Sequence, residues 1–279
     1  MMRVLLRVPG LGVSFYSFGV LLALGVVAGV LLARARFRRE GLDPEMVYDL
    51  AIVTLLAGLI GARLFYVAEF WGETVNSWLD VLRIWEGGIV LYGGAFGALA
   101  GFLLYRALVR FPTLATLDAI APSLMLGLAI GRVGCWLNGC CYGRLCTIPG
   151  LGASFPPDSP PWRAEVLQRM IPLDAVGTLP LYPTQLFSAL NAVLIVLLLS
   201  AYYPLRRRDG EVFGLLLLTY PPTRFLVEMF RDDEATLLSG FTVSQVVSLI
   251  VFGLGLSFWS HLGRNAALRH ADSAHAAAA

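Results

Sequence analysis

The feature that most constrains this chain is a series of apolar blocks of about 20 residues, each the length that carries a helix across a bilayer. Within hydrocarbon every backbone N–H and C=O must find its partner inside the spanning structure, which leaves only helices or closed barrels. A barrel would show short segments of alternating polarity, and these blocks do not alternate. The pattern predicts an all-α, polytopic membrane protein with seven transmembrane helices, at roughly 14–34, 49–71, 89–109, 115–136, 183–203, 211–231 and 241–262. A content of 57% hydrophobic and 14% charged residues excludes an ordinary soluble domain.

Charge sets the orientation. All 21 basic residues are arginine. Arg34, Arg36, Arg38 and Arg39 follow the first block, Arg106 and Arg110 the third, Arg206, Arg207 and Arg208 the fifth, and Arg264 and Arg269 the seventh. By the positive-inside rule these segments are cytoplasmic, so the N-terminus is expected outside and the C-terminus inside. Arg3 and Arg7 pull the other way but are outnumbered. The first block is read as a retained span, since no small-residue cleavage site precedes a soluble domain.

One integral membrane domain, residues 1–264, accounts for nearly the whole chain, with 265–279 expected as a cytoplasmic, disordered tail. No internal repeat is visible. The external segments expected are 72–88, with Trp78, Trp85 and Glu86; the long loop 137–182; and 232–240, with Asp232, Asp233 and Glu234. Five prolines between Pro149 and Pro161 keep the first half of the long loop from being regular helix. Residues 162–171 fit a short amphipathic helix.

Chemistry concentrates where apolar blocks end. Gly131-Arg132-Val133-Gly134-Cys135-Trp136-Leu137-Asn138-Gly139-Cys140-Cys141-Tyr142-Gly143-Arg144 places an arginine at the edge of hydrocarbon, where it cannot shed its proton and calls for an anion such as lipid phosphate. Arg224, Glu228 and Arg231 fall at i, i+4 and i+7, one stripe of a helix, so Glu228 can pair with either arginine. The plain alternative is an internal ion-pair ladder tying the sixth span to its neighbours. Arg132 and Arg224 together would offer two guanidinium forks matched to phosphate oxygens. Two glycine pairs, Gly87-Gly88 and Gly93-Gly94, bracket Tyr92 at the mouth of the third span, which suits either tight helix packing or a special backbone. Cys135, Cys140, Cys141 and Cys146 read as small apolar fillers, as a disulfide involving Cys146, or as reactive thiols; the spacing and the lack of a nearby histidine argue against a metal site.

These motifs, in this order along nearly the whole chain, resemble the bacterial phosphatidylglycerol–prolipoprotein diacylglyceryl transferases. The family signature Gly-Arg-x-Gly-Asn-aromatic-x-Asn-x-Glu-x-x-Gly is matched at Arg132, Asn138 and Gly143, with Cys135 in place of the first asparagine and Cys140 in place of the glutamate. Further matches are Tyr16 in Ser14-Phe15-Tyr16-Ser17-Phe18-Gly19, Arg63 and Tyr66, Trp85-Glu86-Gly87-Gly88, Tyr182-Pro183-Thr184-Gln185-Leu186, and the run Arg224 to Arg231. Tyr92 stands where the family carries a functionally important histidine.

The resemblance implies transfer of the diacylglyceryl group of phosphatidylglycerol to the lipobox cysteine thiol of a prolipoprotein, releasing glycerol-1-phosphate. It implies a monomeric enzyme of the bacterial cytoplasmic (inner) membrane that uses no cofactor, metal or nucleic acid. Its expected catalytic residues are Arg132, Arg224, Glu228 and Tyr92; Tyr16, Asn138, Gly143, Gln185 and Arg231 join Arg132 in binding substrate. Glu228 is the expected base, or the group that orients Arg224, with Tyr92 and Cys140 as runners-up. Two other functions compete: a lipid or anion transporter, and a non-catalytic lipid-binding homologue of the same fold.

Overall fold

The computed structural model describes residues 4–7, 14–75, 77–83, 87–231 and 240–278. Trp85, Glu86, Asp232, Asp233 and Glu234 lie outside the described residues, as do the side chains of Arg3, Arg7, Arg269, His270 and His275. A short antiparallel hairpin, β1 (Val4–Arg7) with β2 (Ser14–Tyr16), opens the chain, a departure from the all-α expectation confined to seven residues. The rest is helical: α1 (Ser17–Arg39), α2 (Met46–Glu69), α3 (Trp78–Val81), α4 (Leu91–Leu108), α5 (Thr113–Asn138), α6 (Pro160–Leu167), α7 (Thr184–Tyr202), α8 (Glu211–Glu228) and α9 (Val243–Ala278).

Among the described residues, six helices are long and apolar enough to cross a membrane: α1, α2, α4, α5, α7 extended to Leu205, and α9 through Arg264. Their large apolar side chains face outward rather than inward. Ile52, Leu55, Leu56 and Ile60 on α2, and Leu190, Leu194 and Leu197 on α7, are all exposed. Such broad apolar surface is unfit for water and suited to lipid, as expected of a multi-pass membrane protein. α8 stands apart, because its 18 residues include Pro221, Pro222, Arg224 and Glu228.

The chain divides into two compact units, Met1–Leu32 with Leu117–Ala279, and Ala33–Thr116. In the second unit, α2 and α4 pack backbone to backbone along small residues. A Cβ on Gly61 would lie 2.8 Å from Gly97 Cα and closer still to Gly93 O, so glycine is required for this approach. Arg63, 7% exposed, donates to the carbonyls of Val81 (3.0 Å), Gly87 (2.7 Å), Gly88 (2.8 Å) and Asp80 (2.5 Å). Its guanidinium also lies 5.2 Å from the Tyr66 ring centre. Arg63 and Tyr66 therefore hold the link between α2 and α4 in shape.

In the first unit, α5, α7 and α8 close on Ala121, Met125, Ile195, Leu199, Val212 and Leu216. The start of α8 is fixed by Asp118 of α5, whose oxygens accept from the backbone N–H groups of Gly210 and Phe213, both at 2.8 Å. A helix N-terminus has free donors and positive potential, so a carboxylate delivered by a neighbouring helix satisfies both. Arg206 Nε sits 3.6 Å from the same carboxylate. Asn191 of α7 donates to Thr223 of α8 at 2.9 Å, tying the two beside the proline pair.

The long loop is folded tightly on itself. The expected helix is present as α6, capped by Ser159, whose hydroxyl accepts from Trp162 N, with prolines in its first turn where a missing N–H costs nothing. Trp162 Nε1 donates to Ala175 O at 3.0 Å, and the Glu165 carboxylate accepts from Leu179 N at 3.0 Å. Burial pushes the Glu165 carboxyl above its usual range.

Candidate functional site

The site begins with the end of α5. Gly139 takes φ +76°, a conformation that glycine adopts without penalty, and its N–H and that of Cys140 both return to Cys135 O, at 2.9 and 3.1 Å. The chain thus reverses at once after Asn138, setting Cys140 and Cys141 beside Cys135. The two following carbonyls are pinned from α7. Gln185 Nε2 donates to Cys140 O and Thr184 Oγ1 to Cys141 O, each at 2.8 Å. Gln185 is fully buried, and its Oε1 has no hydrogen-bond partner among the described residues.

From there the segment is laced to two other sequence-distant motifs. Gly143 N donates to Tyr182 O at 2.9 Å, Tyr182 N to Arg144 O at 3.0 Å, and Arg144 N to Phe230 O at 2.8 Å. The residues after α5, the start of α7 and the end of α8 are therefore joined by backbone hydrogen bonds. Gly143 is the crossing point: a side chain there would strike Phe230 O at 2.6 Å and Tyr182 Cβ at 2.8 Å.

At the end of α8, Glu228 is completely buried and forms an ion pair with Arg224. Its Oε2 also lies 3.7 Å from Arg231 Nε, and its Oε1 3.5 Å from Thr242 Oγ1. Arg224 donates onward to Ser244 Oγ of α9 at 3.0 Å. The helix stops at Glu228, so Arg231 reaches this carboxylate from the turn beyond, where its N–H bonds Glu228 O at 2.9 Å. With both oxygens committed, Glu228 is built to hold two guanidiniums in fixed directions.

Arg132 differs. It is half-buried near the end of α5, and no hydrogen bond or ion pair engages its guanidinium among the described residues. Its charge, with that of Arg231, falls on Cys141. The Cys141 thiol is held below its usual range by hydrogen bonding with Cys135 and Cys140 first, and by these two arginines after them. All four cysteines are free thiols; Cys146 points away, with Sγ 3.4 Å from Ile148 O. The Sγ atoms of Cys135, Cys140 and Cys141 lie within 4.8 Å of one another.

The remaining expected residues are placed as follows. Asn138 ends α5 and its side chain bonds the Cys140 thiol. Tyr16 is exposed at the end of β2. Tyr92 is half-buried in the first turn of α4, within the other compact unit. Sequence reasoning missed Thr242 and Ser244, and gave no role to Thr184 although it stands in the motif Tyr182 to Leu186; these are small hydroxyls whose partners lie 14 to 43 residues away. Beside the laced segment is a cavity of about 800 Å³, with Tyr142, Arg144, Thr147, Glu165 and Gln168 in its lining.

Residues 3–261 match the family described as prolipoprotein diacylglyceryl transferase. Among curated proteins, the chain is similar to the phosphatidylglycerol–prolipoprotein diacylglyceryl transferase of Clostridium tetani, with 29% identity over 88% of this chain and 92% of that one. It is also similar to the proteins of that name from Corynebacterium efficiens, 32% identical over 89% of this chain and 78% of that one, and Thermosynechococcus vestitus, 31% identical over 85% of each.

Proposed function

The chain belongs to the prolipoprotein diacylglyceryl transferase family, and we propose that Arg132 and Arg224 hold the phosphate of phosphatidylglycerol while its diacylglyceryl group passes to a prolipoprotein cysteine. It is a transferase of lipoprotein biosynthesis. The acceptor thiol gives up its proton to solvent, its sulfur attacks the glyceryl carbon, the carbon–oxygen bond breaks, and glycerol-1-phosphate leaves with the electron pair. Charge grows on the phosphate as this happens, and donors already fixed in place stabilise it at no cost of reorganisation.

The observation that carries the reading is the contrast between two arginine environments. Glu228 fixes Arg224 and Arg231, whereas Arg132 has no anion of its own among the described residues. A half-buried guanidinium without a counterion favours a bound anion. Gln185, whose buried Oε1 has no partner among the described residues, and Asn138, Gly143 and Tyr16 shape the headgroup site around these cations. Glu228 acts here by orienting Arg224 rather than by taking a proton.

α8 serves as the seventh span, its Arg224–Glu228 pair lowering the cost of two ionised groups. With the arginine runs inside, the protein sits in the bacterial cytoplasmic membrane with its N-terminus and long loop outside, as a monomer. Reporter fusions should place residue 208 inside and residue 160 outside; the reverse would overturn the orientation.

The function is tested by transfer of labelled diacylglycerol from phosphatidylglycerol to a lipobox peptide. Arg132→Lys and Arg224→Lys should each lower turnover strongly in an inserted protein, because charge survives but the fork geometry is lost. Near-normal turnover in both variants would make the arginines structural. Absence of transfer by the unaltered chain would favour the non-catalytic reading.

A further inference from the structure

The three clustered thiols are not used by the phosphate site. We propose that Cys135, Cys140 and Cys141 bind one thiophilic divalent metal ion of the zinc class, whose fourth coordination position receives the acceptor thiol of the substrate protein. The role of the fourth position rests on the transferase reading above; the metal site itself does not.

The donor set is suited to such an ion. Three sulfurs mutually within 4.8 Å approach the separation of about 3.8 Å that tetrahedral ligation at zinc–sulfur bonds of about 2.3 Å requires. Soft thiolates select zinc-class ions over calcium or magnesium. Among the described residues no fourth histidine, cysteine or carboxylate joins the cluster, which is the arrangement of metal sites that keep one position for a reactant.

The turn is also preorganised for binding. The reversal at Gly139 fixes Cys140 against Cys135, and the Cys140 and Cys141 carbonyls are pinned by Gln185 and Thr184. The thiols are thus placed by the fold, with little chain entropy left to lose on ligation.

The chemistry fills a gap. A thiol must ionise before it attacks carbon, and Tyr92 and Cys140 stand where the family carries histidine and glutamate. On binding the metal, the acceptor thiol releases its proton to solvent. The bound sulfur then forms the bond to the glyceryl carbon as the carbon–oxygen bond breaks, and glycerol-1-phosphate leaves. The product thioether is uncharged, a poorer ligand, and departs. No oxidant or reductant is needed.

The test is a titration of the reduced, metal-stripped full chain in lipid nanodiscs with Co(II). One equivalent should bind with intense thiolate-to-cobalt charge-transfer absorption. Cys135→Ser, Cys140→Ser and Cys141→Ser should each lose that band, while Cys146→Ser keeps it. No band in the unaltered chain, or equal loss in Cys146→Ser, would overturn the site; since the unaltered chain is read first, a misfolded variant does not decide the matter. A lipobox peptide bearing cysteine should then shift the cobalt d–d bands, and its serine counterpart should not. Unshifted bands would overturn the fourth-position role. Cobalt and peptide bound as expected, with no transfer from labelled phosphatidylglycerol, would leave the metal site standing and remove the transferase reading.

Discussion

Replacing Glu228 by glutamine tests how the cationic end of α8 is held. The side chain of Glu228 has 0% exposure, Arg224 15% and Arg231 9%, so little water is available to screen a lost charge. Glutamine keeps the volume and one acceptor but removes the negative charge, and its amide N–H₂ cannot accept from a guanidinium. Two nearly buried cations would then face each other without a counterion. Breaking a buried pair in this way costs about 3–5 kcal/mol, most of it the penalty of the charge left behind. Unfolding midpoints in mixed micelles would read this loss. Adding Arg231→Gln removes one of the two orphaned cations and should recover about 1–3 kcal/mol through coupling between the sites. The same variants separate orientation from proton transfer. If Glu228 orients Arg224, turnover falls in Glu228→Gln while the acid limb of the pH–rate profile stays where it was. A stability change under about 0.5 kcal/mol, far below the range for a broken buried pair, would refute the argument. So would a double variant no better than the single one.

Two further outcomes follow from buried carboxylates elsewhere. Asp118→Asn should destabilise the protein by about 1–3 kcal/mol, because the amide nitrogen cannot accept from the N–H that one of the two carboxylate oxygens now serves, and Arg206 loses one of its carboxylate partners; an unchanged unfolding midpoint would show that the cap is dispensable. Glu165 is raised by burial, so its contribution is fully present below the ordinary carboxylate range and is lost as pH rises through its folded-state value. Glu165→Gln should therefore be more stable than the parent at neutral pH and show a flatter stability curve across mildly acidic pH, measured by thermal unfolding in micelles; a parent as stable as the variant at pH 7 would contradict this.

Bilayer thickness made the helices legible. The block read at 183–203 is α7, Thr184–Tyr202, and that at 115–136 is α5, Thr113–Asn138. The i, i+4 pairing of Arg224 with Glu228 was legible for the same local reason. What the pattern could not supply were partners set by tertiary approach. Asp118 meets Gly210 across 92 residues, and Ser244 meets Arg224 from another helix. The thiol cluster was hidden because Cys135-x4-Cys140 resembles no metal spacing; only the reversal at Gly139 closes it.

The arginines show why residue type alone does not locate a site. Arg63, Arg132 and Arg224 all lie within the residues matched to the family, and all are at least half-buried. Four of the five N–H donors of Arg63 are taken by backbone carbonyls, an uncharged set. Arg224 is neutralised by Glu228 yet keeps one face directed by Ser244. Arg132 alone of these three has neither carbonyls nor a carboxylate among the described residues. Its charge is the one left for a substrate to neutralise, so Arg132→Lys should lose turnover without the loss of folding that Arg63→Lys, with one nitrogen in place of three, would bring.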